Sequence, residues 1–384
     1  MDALELLDLI KKAESSTVQF KVRINDAYKV GTEMVAFSNV NGGIIVVGVD
    51  DETGEIKGLS YEEIQSTNQI LSNAASDNIK PPIYIITETI TVNEGNVVIA
   101  TIPEGVSKPF MDNKGIIWTK NGSDKRKVVA KEEIARLLQS SGNLYADEIP
   151  VNGTTVNDID EKSFLDFFIK NGGETPDELG LTFTKALENT DTIKDEKLTL
   201  GGLIFFGKEP QKFKPAFCIK AVSYYGNDIE GTEYRDSEDI KGTIPQMFDN
   251  AMAFLKRNLK KTQQGQDFNS EGIMEVSETA LEELLQNALI HRDYLINAPI
   301  RLFIFENRIE IISPGKLPNS LTVEKIKLGG FIVRNNLIVR FCSKTMKYRG
   351  IGSGIRRALK EFPHTELIND MERELFITVL WRTL

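Results

Sequence analysis

The chain is short of the residues that build disulfide, zinc and haem sites. Its 384 residues include two cysteines, Cys218 and Cys342, and two histidines, His291 and His364. This excludes a disulfide framework and any zinc-binding spacing, and leaves too few imidazoles for most histidine-based metal centres. No run of about 18 uncharged apolar residues occurs, so no transmembrane helix is expected. The first residues, Met1-Asp2-Ala3-Leu4-Glu5, are acidic and amphipathic, without the basic start and apolar core of a signal peptide. With 13 prolines and 29 glycines, a collagen-like or low-complexity chain is excluded. These absences together predict a cytoplasmic protein of a reducing compartment. What remains is ordinary globular composition, 41% hydrophobic and 27% charged. At ~150 residues per domain the length predicts two or three domains.

Net charge is −10, which argues against a bulk nucleic-acid coat protein. The charge is unevenly placed. Residues 1–145 are acidic on balance, whereas residues 301–360 hold 13 Lys and Arg against three acids, Glu306, Glu310 and Glu324. A basic field inside an acidic chain suits a polyanion site, either nucleotide phosphate or nucleic acid.

Along the chain, Leu4, Leu7 and Ile10 predict a short helix over residues 2–13, and a second is expected over 30–39. Asn41-Gly42-Gly43 then feeds an apolar run to Val49 that reads as a strand buried on both faces. A hairpin is expected from 83–90 and 96–102 across Asn93-Glu94-Gly95, a strand over 115–120 and a helix over 130–140. Ser140-Ser141-Gly142-Asn143 is the best linker, which makes residues 1–142 one domain and 150–384 the other, with 150–275 as a supporting subregion. In the second domain a helix is expected over 160–170, strands over 200–206 and 216–225, and helices over 244–260 and 278–294. A hairpin spans Ile300 to Ile312, a glycine turn over 350–354 opens a helix, and a closing strand covers 374–381. The polar stretch 263–275 reads as a loop.

Two constellations carry chemistry. On the 278–294 helix, Glu283 and Asn287 stand four residues apart and share one face. There a carboxylate can orient and deprotonate a water while the neighbouring carboxamide oxygen ligates Mg2+. Ser313-Pro314-Gly315 follows a strand, where a backbone turn can approach a base. Arg349-Gly350-Ile351-Gly352-Ser353-Gly354 then opens a helix. Alternating glycines let backbone N–H groups face an anion, and the helix N-terminus adds positive potential. Lys347, Arg349 and Arg356 are the nearby counter-charges.

The order and spacing of these pieces resemble the GHKL ATPases. Glu283-Leu-Leu-Gln-Asn287-Ala288-Leu-Ile-His291-Arg292-Asp293-Tyr294, Ser313-Pro314-Gly315-Lys-Leu317-Pro318, Arg334-Asn335 and Gly350-Ile-Gly352-Ser-Gly354 resemble in particular the ATP-binding C-terminal region of bacterial RecG-like transcriptional regulators. The resemblance implies an α+β protein with a GHKL (Bergerat)-like α/β sandwich that binds ATP and Mg2+. It makes Glu283 the water-activating base and Asn287 the metal ligand, lays Gly315 against adenine, and has Gly350, Gly352 and Gly354 cradle phosphates. The family's adenine-binding Asp is replaced by Ser313, a weaker acceptor.

Other patterns are set aside. Gly202 to Lys208 has P-loop spacing, but its interior reads as a strand and Glu209 stands where a Mg2+-binding Ser or Thr belongs. His291-Arg292-Asp293 resembles a kinase catalytic loop, but no Asp-Phe-Gly follows. His291 is expected to pack or hydrogen-bond within its helix.

In the first domain, Glu14-Ser-Ser-Thr-Val-Gln19-Phe20-Lys21, the 41–50 run, Gly54 to Gly58, Pro109 and Trp118-Thr-Lys120-Asn-Gly122-Ser123 resemble the Schlafen-type Alba-like domain. That implies nucleic-acid binding, DNA rather than RNA. Lys21, Arg23, Lys120, Lys125, Arg126 and Lys127 are the candidate phosphate contacts. Schlafen relatives that cut RNA use three acids around a divalent metal, at positions matching Glu14, Gln19 and a site near Asp50. A neutral amide at 19 removes one hard ligand, so the resemblance implies a vestigial nuclease site and binding in place of cutting. Three readings stay open: a nucleotide-gated regulator, an ATP-controlled metal-dependent nuclease, and a scaffold in which both sites are vestigial. Self-association is expected by resemblance.

Overall fold

The apolar run after Gly43 becomes the middle of a four-stranded sheet, ordered Val18–Lys21, Gly43–Val47, Gly95–Ile102, Ile86–Val92; the first pair is parallel and the others antiparallel. Because side chains alternate across a strand, the sheet has two apolar faces. Ile45, Val47, Val98 and Ala100 meet the helices Ala27–Asn39 and Tyr61–Asp77, while Val46, Phe20, Val97 and Ile99 meet Leu6 of the helix Ala3–Lys11. The second helix starts three residues earlier than expected. Asp26 sets that start, its carboxylate accepting from the Tyr28 and Lys29 N–H groups. The Tyr61–Asp77 helix has no counterpart in the sequence reading, because its buried face is Thr67, Leu71, Ala74 and Ala75 and carries little apolar signal. A hairpin, Trp118–Asn121 against Asp124–Lys127, and a helix, Lys131–Ser140, follow.

These elements form one compact unit, Met1–Leu144, and Tyr145–Leu384 forms another, in a computed structural model that describes every residue except 230–232, 263–271, 319–320, 349, 351 and 383–384. Most of the expected 263–275 loop therefore lies outside the described residues.

The second unit is built on a six-stranded mixed sheet, ordered Tyr234–Ile240, Ile219–Tyr224, Ile300–Ile304, Arg308–Pro314, Leu375–Trp381, Thr365–Asp370. The Ile219 and Ile300 strands run parallel and the remaining neighbours are antiparallel. Leu302, Ile304, Ile309 and Ile311 point into the main core with the helices Ile244–Asn258 and Glu278–His291, whereas Phe303, Phe305 and Ile312 form a small apolar cluster on the opposite face. This is a mixed α+β fold with helices layered on a sheet. Met247, Ala251, Phe254 and Leu255 are buried on the Ile244–Asn258 helix, the face the periodicity predicts.

Residues 200–206 are not a strand. They form the α-helix Leu200–Phe206, capped by the Thr199 hydroxyl on the Gly202 N–H, with every residue buried. A fully buried helix of seven residues has no polar side, so its pattern cannot be told from that of a buried strand. Gly202 lets it sit against the Thr192 carbonyl, which a Cβ would approach to 2.2 Å. A buried helix where a phosphate loop would run, with Glu209 in place of Ser or Thr, excludes a P-loop there. Among the described residues, no helix is long and apolar enough to cross a membrane.

Candidate functional site

The strand Arg308–Pro314 sends Ile309, Ile311 and Ser313 toward the helix Glu278–His291, and the Ser313 hydroxyl donates to the Ala288 carbonyl at 3.2 Å. Beyond Pro314 the chain turns at Gly315 with φ +102°, where a Cβ would meet Asp293 Cβ at 2.5 Å and Arg334 Nη1 at 2.7 Å. Only glycine lets the chain pass there. The far end of the helix is held by Asn335, whose amide donates to the Ile290 and Arg292 carbonyls at 2.8 and 2.9 Å. These are orphan acceptors of a helix C-terminus.

The glycine bend lies against the acid–amide turn. A Cβ at Gly354 would come within 2.5 Å of Glu283 Oε2 and 3.3 Å of Asn287 Nδ2. Gly350 and Gly352 have φ +65° and +71°, and a Cβ on Gly352 would strike the Gly329 carbonyl at 2.5 Å. The helix Gly354–Glu361 starts in the bend, and Ser353 makes no side-chain cap, so its first N–H groups are not covered by their own N-cap. Between these pieces lies a cleft of about 1080 Å³, counted out to the solvent at its mouth. Glu283, Asn287, Ser313, Gly315, Gly350, Gly352 and Gly354 all line it. Arg349 lies outside the described residues.

Ile311, Leu317 and Phe376 give the cleft an apolar wall, and Phe331 lies beside Gly352 of the bend. Glu283 pairs with Arg357 through Oε1 and Nη2. The Asn287 amide N–H donates to the Glu283 carbonyl at 2.7 Å, which leaves its Oδ1 as the atom able to meet a cation. The His291 ring bonds to a residue outside its own helix. Its Nε2 meets Tyr348 Oη at 2.9 Å, and both residues line the cleft. Burial, and secondarily the Arg334 charge, lower the His291 pKa to about 4, so the ring is neutral at pH 7. Burial raises Tyr348 to about 12.

Several of these residues escaped the sequence reading. Arg357, not Arg356, faces Glu283; without the helix register, two adjacent arginines cannot be told apart. Thr378, on the neighbouring strand opposite Ile311, also lines the cleft, and nothing in its local sequence separates it from other strand threonines.

In the first unit, Glu14 and Gln19 come together, with Gln19 Nε2 donating to Glu14 Oε1 at 2.6 Å and the Phe20 N–H to the same oxygen at 2.7 Å. Gln19 Oε1 accepts from Lys120 Nζ at 2.9 Å, and Lys120 also bonds the Ser123 carbonyl and lies 3.7 Å from Glu33. Asp50 closes its own turn, accepting from the Glu52 and Thr53 N–H groups and the Thr53 hydroxyl. The Thr53 hydrogen bonds lower its pKa. A divalent cation does not fit this arrangement, because a buried ammonium already takes the Gln19 oxygen. No group of three or more His, Cys, Asp or Glu side chains suited to a metal occurs among the described residues.

The candidate phosphate contacts divide. Lys120 is a correction: its side chain is 1% exposed and faces the interior, so it meets no phosphate. Burial lowers its pKa, against the pull of Glu33 and Glu14. Arg23 pairs with Glu63 at 2.6 Å, Lys125 with Glu33 at 2.8 Å and Arg126 with Glu133. Lys21 lies 3.9 Å from Asp51, and Lys127 stands beside the Trp118 ring. Lys21, Arg23, Lys29 and Lys125 line one cleft with Gln19 and Glu33.

Residues 14–129 match the family described as Schlafen, AlbA_2, and residues 297–373 match that described as "Putative ATP-dependent DNA helicase recG C-terminal". The first match spans Glu14, Gln19, Asp50 and the basic hairpin. The second takes in Ser313, Gly315 and the glycine bend, and begins beyond Glu283 and Asn287. The chain thus carries, in this order, a segment similar to Schlafen AlbA_2 and a segment similar to the RecG C-terminal family. No curated protein matches it. Among solved structures, the DIP2311 protein of Corynebacterium diphtheriae is 17% identical, with a TM-score of 0.46, over 99% of this chain and 80% of that one. The N-terminal domain of a RecG-related protein of Nitrosomonas europaea is 22% identical, with a TM-score of 0.25, over 34% of this chain and 96% of that one.

Proposed function

We propose that the chain is a nucleotide-responsive, nucleic-acid-binding transcriptional regulator, in which Tyr145–Leu384 binds ATP and Met1–Leu144 binds DNA. One observation carries the nucleotide half: Gly354 lies against Glu283 and Asn287, so the acid–amide turn and the glycine bend wall a single cleft. Adenine takes the wall of Ile311, Leu317 and Phe376, with the Ser313 and Thr378 hydroxyls as its polar neighbours. The triphosphate takes the bend, where glycines admit the anion to backbone N–H groups. Asn287 Oδ1 is the atom that would hold Mg2+, and the cation would supply neutralisation of phosphate charge there. Glu283 is the base for a water, but the Arg357 guanidinium bonds its Oε1 and occupies the place a water would take. A phosphate that draws Arg357 away releases that carboxylate. Turnover is therefore tied to occupancy of the bend.

Calorimetric titration with Mg-ATP and a phosphate-release assay test this reading. Glu283→Gln lowers any hydrolysis by about a hundredfold or more and leaves binding within a few-fold. Retained turnover removes Glu283 from its role, and no heat of binding at millimolar ATP removes the reading. The nuclease alternative is disfavoured by the Lys120–Gln19 contact, and cleavage of labelled tRNA with Mn2+ would restore it.

A further inference from the structure

The buried carboxylate of Asp112 holds two aromatic side chains by their polar edges. Tyr28 Oη and Trp118 Nε1 each donate to Asp112 Oδ2 at 2.9 Å. The other oxygen accepts from the Lys114 and Ile116 N–H groups, so the carboxylate is fully engaged and the rings are fixed. Both rings are partly exposed, and lysines cover their faces. Lys114 Nζ lies 4.0 Å from the Tyr28 centroid; Lys125 and Lys127 each lie 5.6 Å from that of Trp118.

The two lysines beside Trp118 differ. Lys125 is anchored elsewhere, donating to Glu33 and Thr32 at 2.8 Å each. Lys127 faces Trp118 directly across the hairpin and takes no carboxylate partner among the described residues, nor do Lys114 and Lys29. An exposed ammonium on a ring face is weakly held. A flat, uncharged ring displaces it at little cost, and the displaced ammonium is then free for a phosphate next to that ring. Lys29 follows Tyr28 in the chain and lines the neighbouring cleft beside Lys125, Lys21 and Arg23. Fixed aromatic faces flanked by cations along a groove are the chemistry that takes up unpaired bases joined by phosphates. A base pair inside a duplex keeps its faces covered by its neighbours and offers no such surface.

We propose that Trp118 and Tyr28 form a stacking site for bases of single-stranded nucleic acid, with Lys127, Lys114 and Lys29 taking the adjoining phosphates. This rests on the nucleic-acid reading of the first unit and names the form of nucleic acid it takes.

The chain has two tryptophans, so Trp381→Phe in the full chain leaves Trp118 as the only indole reporter. A fluorescein-labelled twelve-nucleotide oligo(dT) and a twelve-pair duplex are titrated by anisotropy, and unlabelled copies by tryptophan fluorescence. The expected result is saturable quenching of Trp118 by the single strand, with weaker binding and little quenching by the duplex. Trp118→Leu weakens single-strand binding about tenfold. Lys127→Ala and Lys114→Ala each lower the salt slope of binding by about 0.7. Single-strand binding that leaves Trp118 fluorescence unchanged, or duplex binding tighter than single-strand binding, overturns the stacking site while keeping the nucleic-acid reading. Failure of both probes to bind overturns both. If Trp118→Leu does not fold, quenching and the two lysine variants still decide.

Discussion

Gly315 and Gly350 make the same demand on the backbone and different demands on space. Both have positive φ, +102° and +65°, but a Cβ at Gly315 would overlap Asp293 and Arg334, whereas one at Gly350 meets nothing closer than 3.5 Å among the described residues. Gly350→Ala is therefore expected to cost only the left-handed strain, about 1 kcal/mol. Gly315→Ala adds a clash against two buried side chains and is expected to cost about 3 kcal/mol. Urea unfolding of the two variants measures the difference. Equal losses would mean that Asp293 and Arg334 move aside, and that the close approach at Gly315 does not shape the cleft. Residues of this kind are legible in the sequence, since glycine just past a strand end or in a run of alternating glycines has few other uses. Partners are not: that Lys120 turns inward to Gln19, or that His291 meets Tyr348, depends on contacts 101 and 57 residues away along the chain.

At the scale of elements, the helix Asn336–Thr345 shows how far such dependence goes. Its own N-cap, Asn335, makes no capping bond because its amide secures the end of Glu278–His291. Asp147, nearly two hundred residues earlier, supplies the acceptor: its Oδ2 takes the Ile338 N–H at 3.0 Å. Burial raises the Asp147 carboxyl from 3.8 to about 7, against the Ile338 bond that lowers it. Between pH 4 and 7 the folded chain keeps a proton that the unfolded chain has released. Stability of the second unit is thus expected to fall as pH rises through that window and to level off above it. Asp147→Asn keeps an acceptor for Ile338 and never ionises. Its stability relative to wild type should rise by a few kcal/mol between pH 4 and 7, whatever its absolute level. A difference constant with pH in chemical unfolding would show that Asp147 does not titrate there. No local pattern marks this cap, the Leu200–Phe206 helix or the edge strand Tyr234–Ile240. The hairpins and long amphipathic helices were legible because their patterns repeat over several residues. Short, wholly buried pieces carry no period, and an acidic edge strand reads as a loop.

For the whole molecule, the decisive fact is that each unit owns its core. One apolar cluster and its satellite on the far face of the six-stranded sheet lie wholly within Tyr145–Leu384, and the two clusters flanking the four-stranded sheet lie wholly within Met1–Leu144. A chain of ~150 residues buries enough surface to fold alone, so each piece, expressed separately, is expected to unfold cooperatively. The two proposed ligands then act on different pieces. Mg-ATP at a hundred times its dissociation constant adds about 2.7 kcal/mol to whatever binds it, which for the larger piece is a rise in melting temperature of roughly 5–10 °C. The same addition should leave Met1–Leu144 unmoved. The charge distribution makes salt a second axis. The basic stretch 301–360 holds Arg334, Arg356 and Arg357 inside a chain of net −10, so anion binding there depends on a local field rather than on overall attraction. Raising salt from 50 to 200 mM should therefore weaken the ATP response of the larger piece measurably, because exposed charges are screened within about 10 Å. A melting shift in the smaller piece, or none in the larger at millimolar ATP, would break the assignment of one ligand to each unit.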